Sequence, residues 1–329
     1  MILGTLSSLV RQCWTDDFDR LYTLVALKRR GVPPSAIISF VSGLGVSTAS
    51  SNIELSRFEQ TVRANLESTT PRLLMLLDPI LVTIDNLPDD YHLPIEKGIH
   101  SKIPAMGTNI VPFTKRVYID ADDFRSVADD DFYRLAPGGS VGLLHVPFPI
   151  SYISHEVDSN EKVTSIKCRY ENDPTKKLKP KAYIQWIAEH APTGSPVKVD
   201  ETRIFKRLFK SDDPAALGDG YIQDIDPDSL VVRKGALLEV GVWGIIKTSL
   251  KATRIAAADR EKEAKEKGTT APPNVDGVES IRFQGVRVAY FCFDFDSNAK
   301  ALEGTGAKGS EGDRLVLNMI APLKQDSGK

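Results

Sequence analysis

The chain has little of what most reactive sites are built from. Its 329 residues include only three cysteines and five histidines. Cys13, Cys168 and Cys292 lie too far apart for a zinc-ligand spacing or a disulfide framework, which suits a reducing compartment. His92, His100, His145, His155 and His190 make no metal-ligand spacing, and no Ser-His-Asp or Cys-His arrangement can be nominated. G-x-x-x-x-G-K-[ST] does not occur, and the one G-x-G-x-x-G string, Gly304 to Gly309, falls in the 301–313 stretch that reads as a loop and not between a strand and a helix. No apolar run approaches the ~20 residues of a membrane-spanning helix. The opening Met1-Ile2-Leu3-Gly4 lacks the basic start of a secretory signal. An excess of one charge is missing too, with 42 basic against 44 acidic residues. Contact with a polyanion must therefore come from a local basic patch. Metal and cofactor are not expected in this chain, and a cytoplasmic location is.

What is present divides into a helical opening and a longer β-rich remainder. Residues 20–30 have helical spacing that puts Leu21, Leu24 and Val25 on one face. Lys28, Arg29 and Arg30 close this helix at the negative end of its dipole. Gly31 offers a left-handed stop, and Pro33 and Pro34 are expected to keep the helix from resuming. Ser35 is placed to cap a second helix with Ile37, Phe40, Val41 and Leu44 inward, and Asn52 a third with Leu55, Phe58, Val62 and Leu66 inward. The apolar run 73–77 follows. From about residue 80, short β-rich segments at 80–84, 116–119, 141–145, 150–157, 163–170 and 181–187 alternate with turn residues. That spacing argues for barrels or sandwiches. A second block runs through 230–232, 236–243, 282–293 and 315–320. Between them, 251–268 is rich in Ala, Lys and Glu, and Glu261→Lys265 and Glu263→Lys267 predict a solvent-exposed helix. The acidic runs at Asp120, Asp122 and Asp123 and at 129–131 read as solvated turns.

Several strings, in order along nearly the whole chain, carry a resemblance. Arg29-Arg30-Gly31-Val32-Pro33-Pro34 is followed by Thr70-Pro71-Arg72 and Asp78-Pro79. Then come Ile110-Val111-Pro112-Phe113, Tyr133-Arg134-Leu135-Ala136-Pro137-Gly138 and Lys179-Pro180-Lys181-Ala182-Tyr183-Ile184-Gln185-Trp186. Arg207-Leu208-Phe209 and Phe283-Gln284 with Arg287 and 290–294 complete the series. Together they resemble the anticodon-binding half of glutaminyl-tRNA synthetases of the eukaryotic cytosolic kind. That family implies an α+β architecture: a small helical subdomain (1–79) followed by two mainly antiparallel β-barrels. The first barrel would span 80–211 and the second 212–329, the latter with a helical insertion at 251–268. The last strand, 315–323, is open to sharing with the first barrel.

The resemblance also implies roles. Arg72, Gln284 and Arg287 match family positions on the central anticodon base, a uridine, and Arg134 the position that reads a guanine at the third. An amide suits the uracil edge, and a guanidinium fork suits guanine O6 and N7. Lys167, Arg169, Lys176, Lys177, Lys179 and Lys181 form the densest basic stretch, a candidate for phosphate contacts. The family's catalytic signatures, and with them ATP and magnesium, have no counterpart here. Trp14-Thr15-Asp16-Asp17-Phe18-Asp19-Arg20 departs from the family's Trp-Asp-Asp-Pro-Arg. Ala121 replaces a frequent arginine. Gly142 and Leu144 stand where bacterial relatives have arginines, so first-base contacts do not transfer. The chain is accordingly expected to be a monomer that binds glutamine tRNA, without membrane contact and inactive by itself, its catalytic half supplied by a full-length protein. A glutamyl-tRNA synthetase domain, a truncated gene product and a free-standing RNA-binding or interaction module are the rival readings. Ile184-Gln185-Trp186 and the ending Leu323-Lys324-Gln325-Asp326 favour glutamine.

Overall fold

The computed structural model describes residues 20–45, 53–129, 131–173, 175, 178–270, 277–298, 302 and 313–324. The 14–19 stretch, Asn52, Lys176, Lys177 and residues 325 and 326 lie outside the described residues. Helices come first: α1 (Leu24–Arg29), α2 (Pro34–Leu44) and α3 (Leu55–Glu67). The Thr23 hydroxyl caps α1, accepting from Ala26 N at 3.2 Å. Gly31 stops it at φ +77°, and a Cβ there would meet Cys292 Sγ at 2.5 Å, so conformation and packing both demand glycine.

Two expectations for this region are corrected. Leu24 and Val25 do not form a buried face: they are 69% and 48% exposed, and Ala26 and Leu27 are buried instead. A six-residue helix presents whichever side meets its support, and here that support is a sheet far along the chain. Nor do the prolines hold off the next helix. Pro33 is the N-cap of α2 and Pro34 its first residue, where proline's missing N–H has no partner to lose. Val62 and Leu66 are buried on α3, as its periodicity predicts.

The strands of the first half are β1 (Arg72–Leu73), β2 (Met75–Leu76), β3 (Pro79–Ile84), β4 (His92–Gly98), β5 (Thr108–Thr114) and β6 (Arg116–Asp120), then β7 (Ser140–Leu143), β8 (Ile150–Val157), β9 (Val163–Tyr170), β10 (Tyr183–Ile184) and β11 (Ile187–Ala188). The second half holds β12 (Val197–Val199), β13 (Glu201–Phe205), β14 (Leu230–Arg233), β15 (Ala236–Leu238), the helix α4 (Val242–Glu266), β16 (Arg282–Gly285), β17 (Ala289–Phe293) and β18 (Val316–Pro322). A seven-stranded sheet runs β10-β7-β8-β9-β3-β6-β11, and with the β4–β5 hairpin it encloses a core centred on Phe113 and Trp186. A six-stranded sheet, β1-β16-β17-β18-β13-β14, and a three-stranded one, β12-β15-β2, enclose a second core around Phe283, Phe291 and Phe293. Pairing is antiparallel except for β1 with β16, β10 with β7, β13 with β18 and β3 with β9. The architecture is α+β, with a helical opening and two β-systems.

Three further differences from the sequence reading stand out. The strand expected over 236–243 stops at Leu238, and α4 begins at Val242 because Val242, Ile245 and Ile246 dock on the second core. The helix expected at 251–268 is thus the solvent-facing end of a longer one, and its Glu263–Lys267 pair forms. β12 and β13 precede residue 212 yet pair with β15, β14 and β18 in the second half. β18 pairs with β17 and, in parallel, with β13, a strand that lies before residue 212.

Helices α1–α3 rest on the six-stranded sheet, with Leu27, Val32, Val62 and Leu66 against Tyr290, Cys292 and Ile320. Arg29 reaches past the helix end to the buried Asp294, Nε to Oδ2 3.0 Å, and the Arg30 guanidinium lies 4.8 Å from the Phe205 ring centre. Burial by itself would raise the Asp294 carboxyl, but hydrogen bonds from Arg29, the Asp296 N–H and Asn318 hold it below its ordinary range.

The apolar run at 73–77 joins the two cores. Leu74 and Leu76 point into the first, Leu73 and Met75 into the second, the period-2 alternation of a strand buried on both faces. Glu239 pins this segment: its carboxylate accepts from Leu74 N at 2.8 Å, from Asn109 Nδ2 and from Lys97 Nζ at 3.1 Å. Lys97 Nζ also donates to the Arg72 carbonyl at 3.1 Å. Glu239 and Lys97 are both almost fully buried. Burial pushes the Glu239 carboxyl up, and Lys97, the Leu74 N–H and Asn109 oppose it. Lys97→Met should leave Glu239 as an uncompensated buried charge and lower stability by about 3–5 kcal/mol, read as a fall in urea midpoint. Lys97→Met with Glu239→Gln should recover part of that loss, since the amide oxygen still accepts from Leu74.

Candidate nucleic-acid interface

The expected site residues fall into two neighbouring groups. Arg72 on β1 stands directly opposite Gln284 on β16, where the strands run parallel. The main chain locks this pairing: Gln284 N donates to the Pro71 carbonyl at 2.8 Å and Val286 N to the Leu73 carbonyl at 2.9 Å. Arg72 uses one terminal nitrogen on Ser101 Oγ at 2.7 Å. Its Nε and the Gln284 Oε1 are buried without a hydrogen-bond partner among the described residues. A donor and an acceptor left unpaired on opposed positions are uncommon in a folded interior.

The second group is built from both halves of the fold. Arg287 sits in the turn between β16 and β17, three residues beyond Gln284, with a left-handed φ of 60° that a non-glycine residue seldom adopts. Its guanidinium donates to the Tyr183 carbonyl at 2.8 Å. Arg134 comes from the loop before β7 and reaches Asp123 Oδ1 at 3.1 Å and the Asp122 carbonyl at 3.0 Å. Asp123 is 5% exposed, and burial pushes its carboxyl up to about 6, against the pull of first Arg287 and then Arg134. Asp120 and Asp122 add to the upward push. Of the two arginines, Arg134 alone is in contact with this buried carboxyl.

Around them lie exposed aromatic and cationic side chains. Lys181 Nζ is 5.5 Å from the centre of the exposed Tyr133 ring. The Tyr183 ring, half exposed, lies against Gly142, where a Cβ would come within 2.4 Å of it. No side chain fits at that position while the ring is there. Lys167 and Arg169 stand on the exposed face of β9, alternating with buried Ile166, Cys168 and Tyr170, and Lys179 is exposed in the loop before β10. The basic stretch is thus split, with Lys181 beside the arginine pair and Lys167 and Arg169 on a strand of their own.

Sequence reasoning read Asp123 as part of a solvated turn, whereas the fold buries it, and it passed over Tyr183, Lys97 and Glu239 as site residues. Lys97 did leave a signal, since it falls on the same inward alternation as Leu93 and Ile95 along β4. Asp123 left none that separates it from Asp120, whose carboxylate accepts from the N–H groups of Leu77, Asp78 and Asp122.

Residues 70–171 match the family described as tRNA synthetases class I (E and Q), anti-codon binding domain. Over 317 residues the chain is 41% identical to a probable glutamine–tRNA ligase of Schizosaccharomyces pombe, covering 96% of this chain and 36% of that protein. A glutamine–tRNA ligase of Saccharomyces cerevisiae is 38% identical over 324 residues, with 96% and 37% covered. The cytoplasmic glutamine–tRNA ligase of Arabidopsis thaliana is 41% identical over 332 residues, with 98% and 36% covered. The chain belongs to the glutamine–tRNA ligases, as their anticodon-binding portion. It spans little more than a third of the length of these relatives.

The Asp123 carboxyl gives a direct check on this geometry. Its folded-state value lies above the ordinary 3.8, so its contribution to stability is fully present below about pH 3.8 and is lost as pH rises through about 6. Carboxyl-carbon NMR should find its midpoint near 6. A midpoint near 4 would place the side chain in solvent instead.

Proposed function

We propose that this surface reads the anticodon of glutamine tRNA. The Arg72 and Gln284 side chains, set opposite one another by a backbone ladder, carry the reading. Uracil offers one N–H donor flanked by carbonyl acceptors, and an amide oxygen with a guanidinium N–H supplies their complement. These residues take the central base. Arg287, at the hairpin tip three residues beyond Gln284, joins them on that base, and Arg134 takes the third base, a guanine whose O6 and N7 suit a guanidinium fork. Unstacked bases of a single-stranded loop are the substrate class that such separate polar pockets recognise. Lys167, Arg169, Lys179 and Lys181 add phosphate contacts, which position the RNA without reading its sequence.

In this reading the ATP- and magnesium-dependent attachment of glutamine to tRNA belongs to a catalytic half in the full-length protein. The chain acts in the cytoplasm as a monomer, a location supported by the name of the Arabidopsis relative. No helix among the described residues is long and apolar enough to cross a membrane.

The test is binding of glutamine tRNA, and of the same tRNA with its central anticodon uridine changed, at one fixed moderate salt concentration. Tight binding that falls with the base change supports the reading. Equal and salt-sensitive binding to both would reduce the surface to a generic cation patch and overturn it. Arg287→Ala should weaken binding of the unchanged tRNA by about 1–3 kcal/mol, the scale of one good base contact.

A further inference from the structure

Helix α4 carries a surface that the anticodon reading leaves unused. Its 25 residues make it about 37 Å long at 1.5 Å per residue. One side is fixed to the protein. Val242, Ile245 and Ile246 are buried in the second core, Ala264 is buried near the far end, and Thr253 Oγ lies 3.3 Å from Ser280 Oγ. The root is fixed as well, since Gly241, just before the helix, leaves no room for a Cβ beside Asn109 Nδ2. Asn109 donates to Glu239, which in turn accepts from Leu74 N. The helix therefore springs from the joint that also sets Arg72.

The side turned away from that core is a cationic stripe. At 3.6 residues per turn, Lys247, Lys251, Arg254, Lys262 and Lys265 fall within an arc of about 80°, with Ala258 in the gap between them. All six residues are exposed, and none of the five cations has an ion pair or side-chain hydrogen bond with a described residue. From Lys247 to Lys265 the stripe runs about 27 Å. The acids of the helix are sorted away from it. Asp259, Glu263 and Glu266 lie on another flank, where Glu263 pairs with Lys267, and Glu261 stands at the edge. Positions three and four apart put like charges side by side at Lys247–Lys251, Lys251–Arg254 and Lys262–Lys265, which disfavours the helix. A helix that needed charge only for solubility would be better served by alternating signs on one face. With 42 basic and 44 acidic residues in the chain, the stripe is a local field and not a share of a global one.

We propose that this stripe holds the phosphate backbone of the tRNA whose anticodon the chain reads, adding affinity without reading a base. The proposal takes its RNA from the function proposed above. The stripe offers a partner five cations in a row and no aromatic ring on which a base could stack, which suits phosphates. Val242, Ile245 and Ile246 are already used on the protein's own core, unlike the free apolar face of a helix that lies on a membrane. Phosphate contacts of this kind release counterions, so their number is read from the salt dependence of binding.

The experiment measures affinity for glutamine tRNA, and for the same tRNA with its central anticodon uridine changed, across a series of salt concentrations. Four proteins are compared: the unchanged chain, Lys251→Gln with Arg254→Gln, all five stripe cations changed to Gln, and Ala252→Glu with Ala256→Glu. The last pair is exposed, lies on the same stretch of helix off the stripe, and lowers the net charge by as much as the Lys251 and Arg254 changes do. The expected slope of log affinity against log salt becomes shallower by about one for each cation removed. The five-residue variant should bind at least about tenfold more weakly at the lowest salt. The ratio of affinities for the two tRNAs should stay the same in every variant, with the helix signal in circular dichroism and the melting temperature kept. The Ala252 and Ala256 variant should keep the slope of the unchanged chain. An unaltered slope in the five-residue variant would overturn the proposal. So would a loss of affinity in the Ala252 and Ala256 variant equal to that of Lys251→Gln with Arg254→Gln, because net charge alone would then account for it. Equal affinity of the unchanged chain for both tRNAs, with a slope that still falls as the stripe is removed, would overturn the anticodon reading and leave the phosphate contact standing.

Discussion

Everything downstream of the helices depends on one short segment that must satisfy two cores at once. Residues 72–76 leave no side chain to solvent between Leu73 and Leu76, and their alternation divides four apolar groups between two hydrophobic clusters. A strand in that position cannot slip by one residue, because each leucine would then face the wrong core. Its peptide groups need partners where water is absent, and Glu239 accepts the Leu74 N–H while donating its own to the Leu74 carbonyl. The Lys97–Glu239 pair is thus a register pin. Its stabilising worth is offset by the cost of burying both charges, but removing one partner alone is expensive.

The recognition surface inherits its geometry from this joint. Arg72 begins the segment, so whatever fixes the register of Leu73 also sets Arg72 opposite Gln284. Past Gln284 the β16–β17 hairpin carries Arg287 over to the first half, where the Tyr183 carbonyl receives it. Two residues beyond Tyr183, the Gln185 side-chain oxygen accepts from Met75 N at 3.1 Å. The two halves are therefore joined by polar contacts that converge on the side chains proposed to touch RNA. Preorganisation of this kind spares the cost of ordering long arginine side chains when a ligand binds.

Much of the local structure was legible in advance because it depends on neighbours in sequence. The left-handed stop at Gly31, the inward face of α3 and strands such as β3, β8 and β9 all follow from short-range rules of period and punctuation. Errors gathered where distant chain took over. The buried side of α1 was decided by the six-stranded sheet beneath it, since six residues are too few for periodicity to choose a face. The 236–243 stretch was read as one strand because its apolar run suits either element. The second core captured Val242, Ile245 and Ile246 and turned its end into a helix.

The site divides in the same way. Sequence by itself determined the α+β composition, the lack of a metal-ligand spacing, and the family strings that carry Arg72, Arg134, Gln284 and Arg287. These are properties of residue type and order, which survive in a linear string. Only the tertiary structure decided that Arg72 faces Gln284 across a parallel pair, that Arg134 pairs with the buried Asp123, and that Lys97 and Glu239 are buried together. Each of those joins residues 11 to 212 positions apart, or sets a charge in a core that only folding creates. No local period or spacing encodes such a contact, because it arises from the desolvation and hydrogen bonding of groups that meet only once both cores have closed.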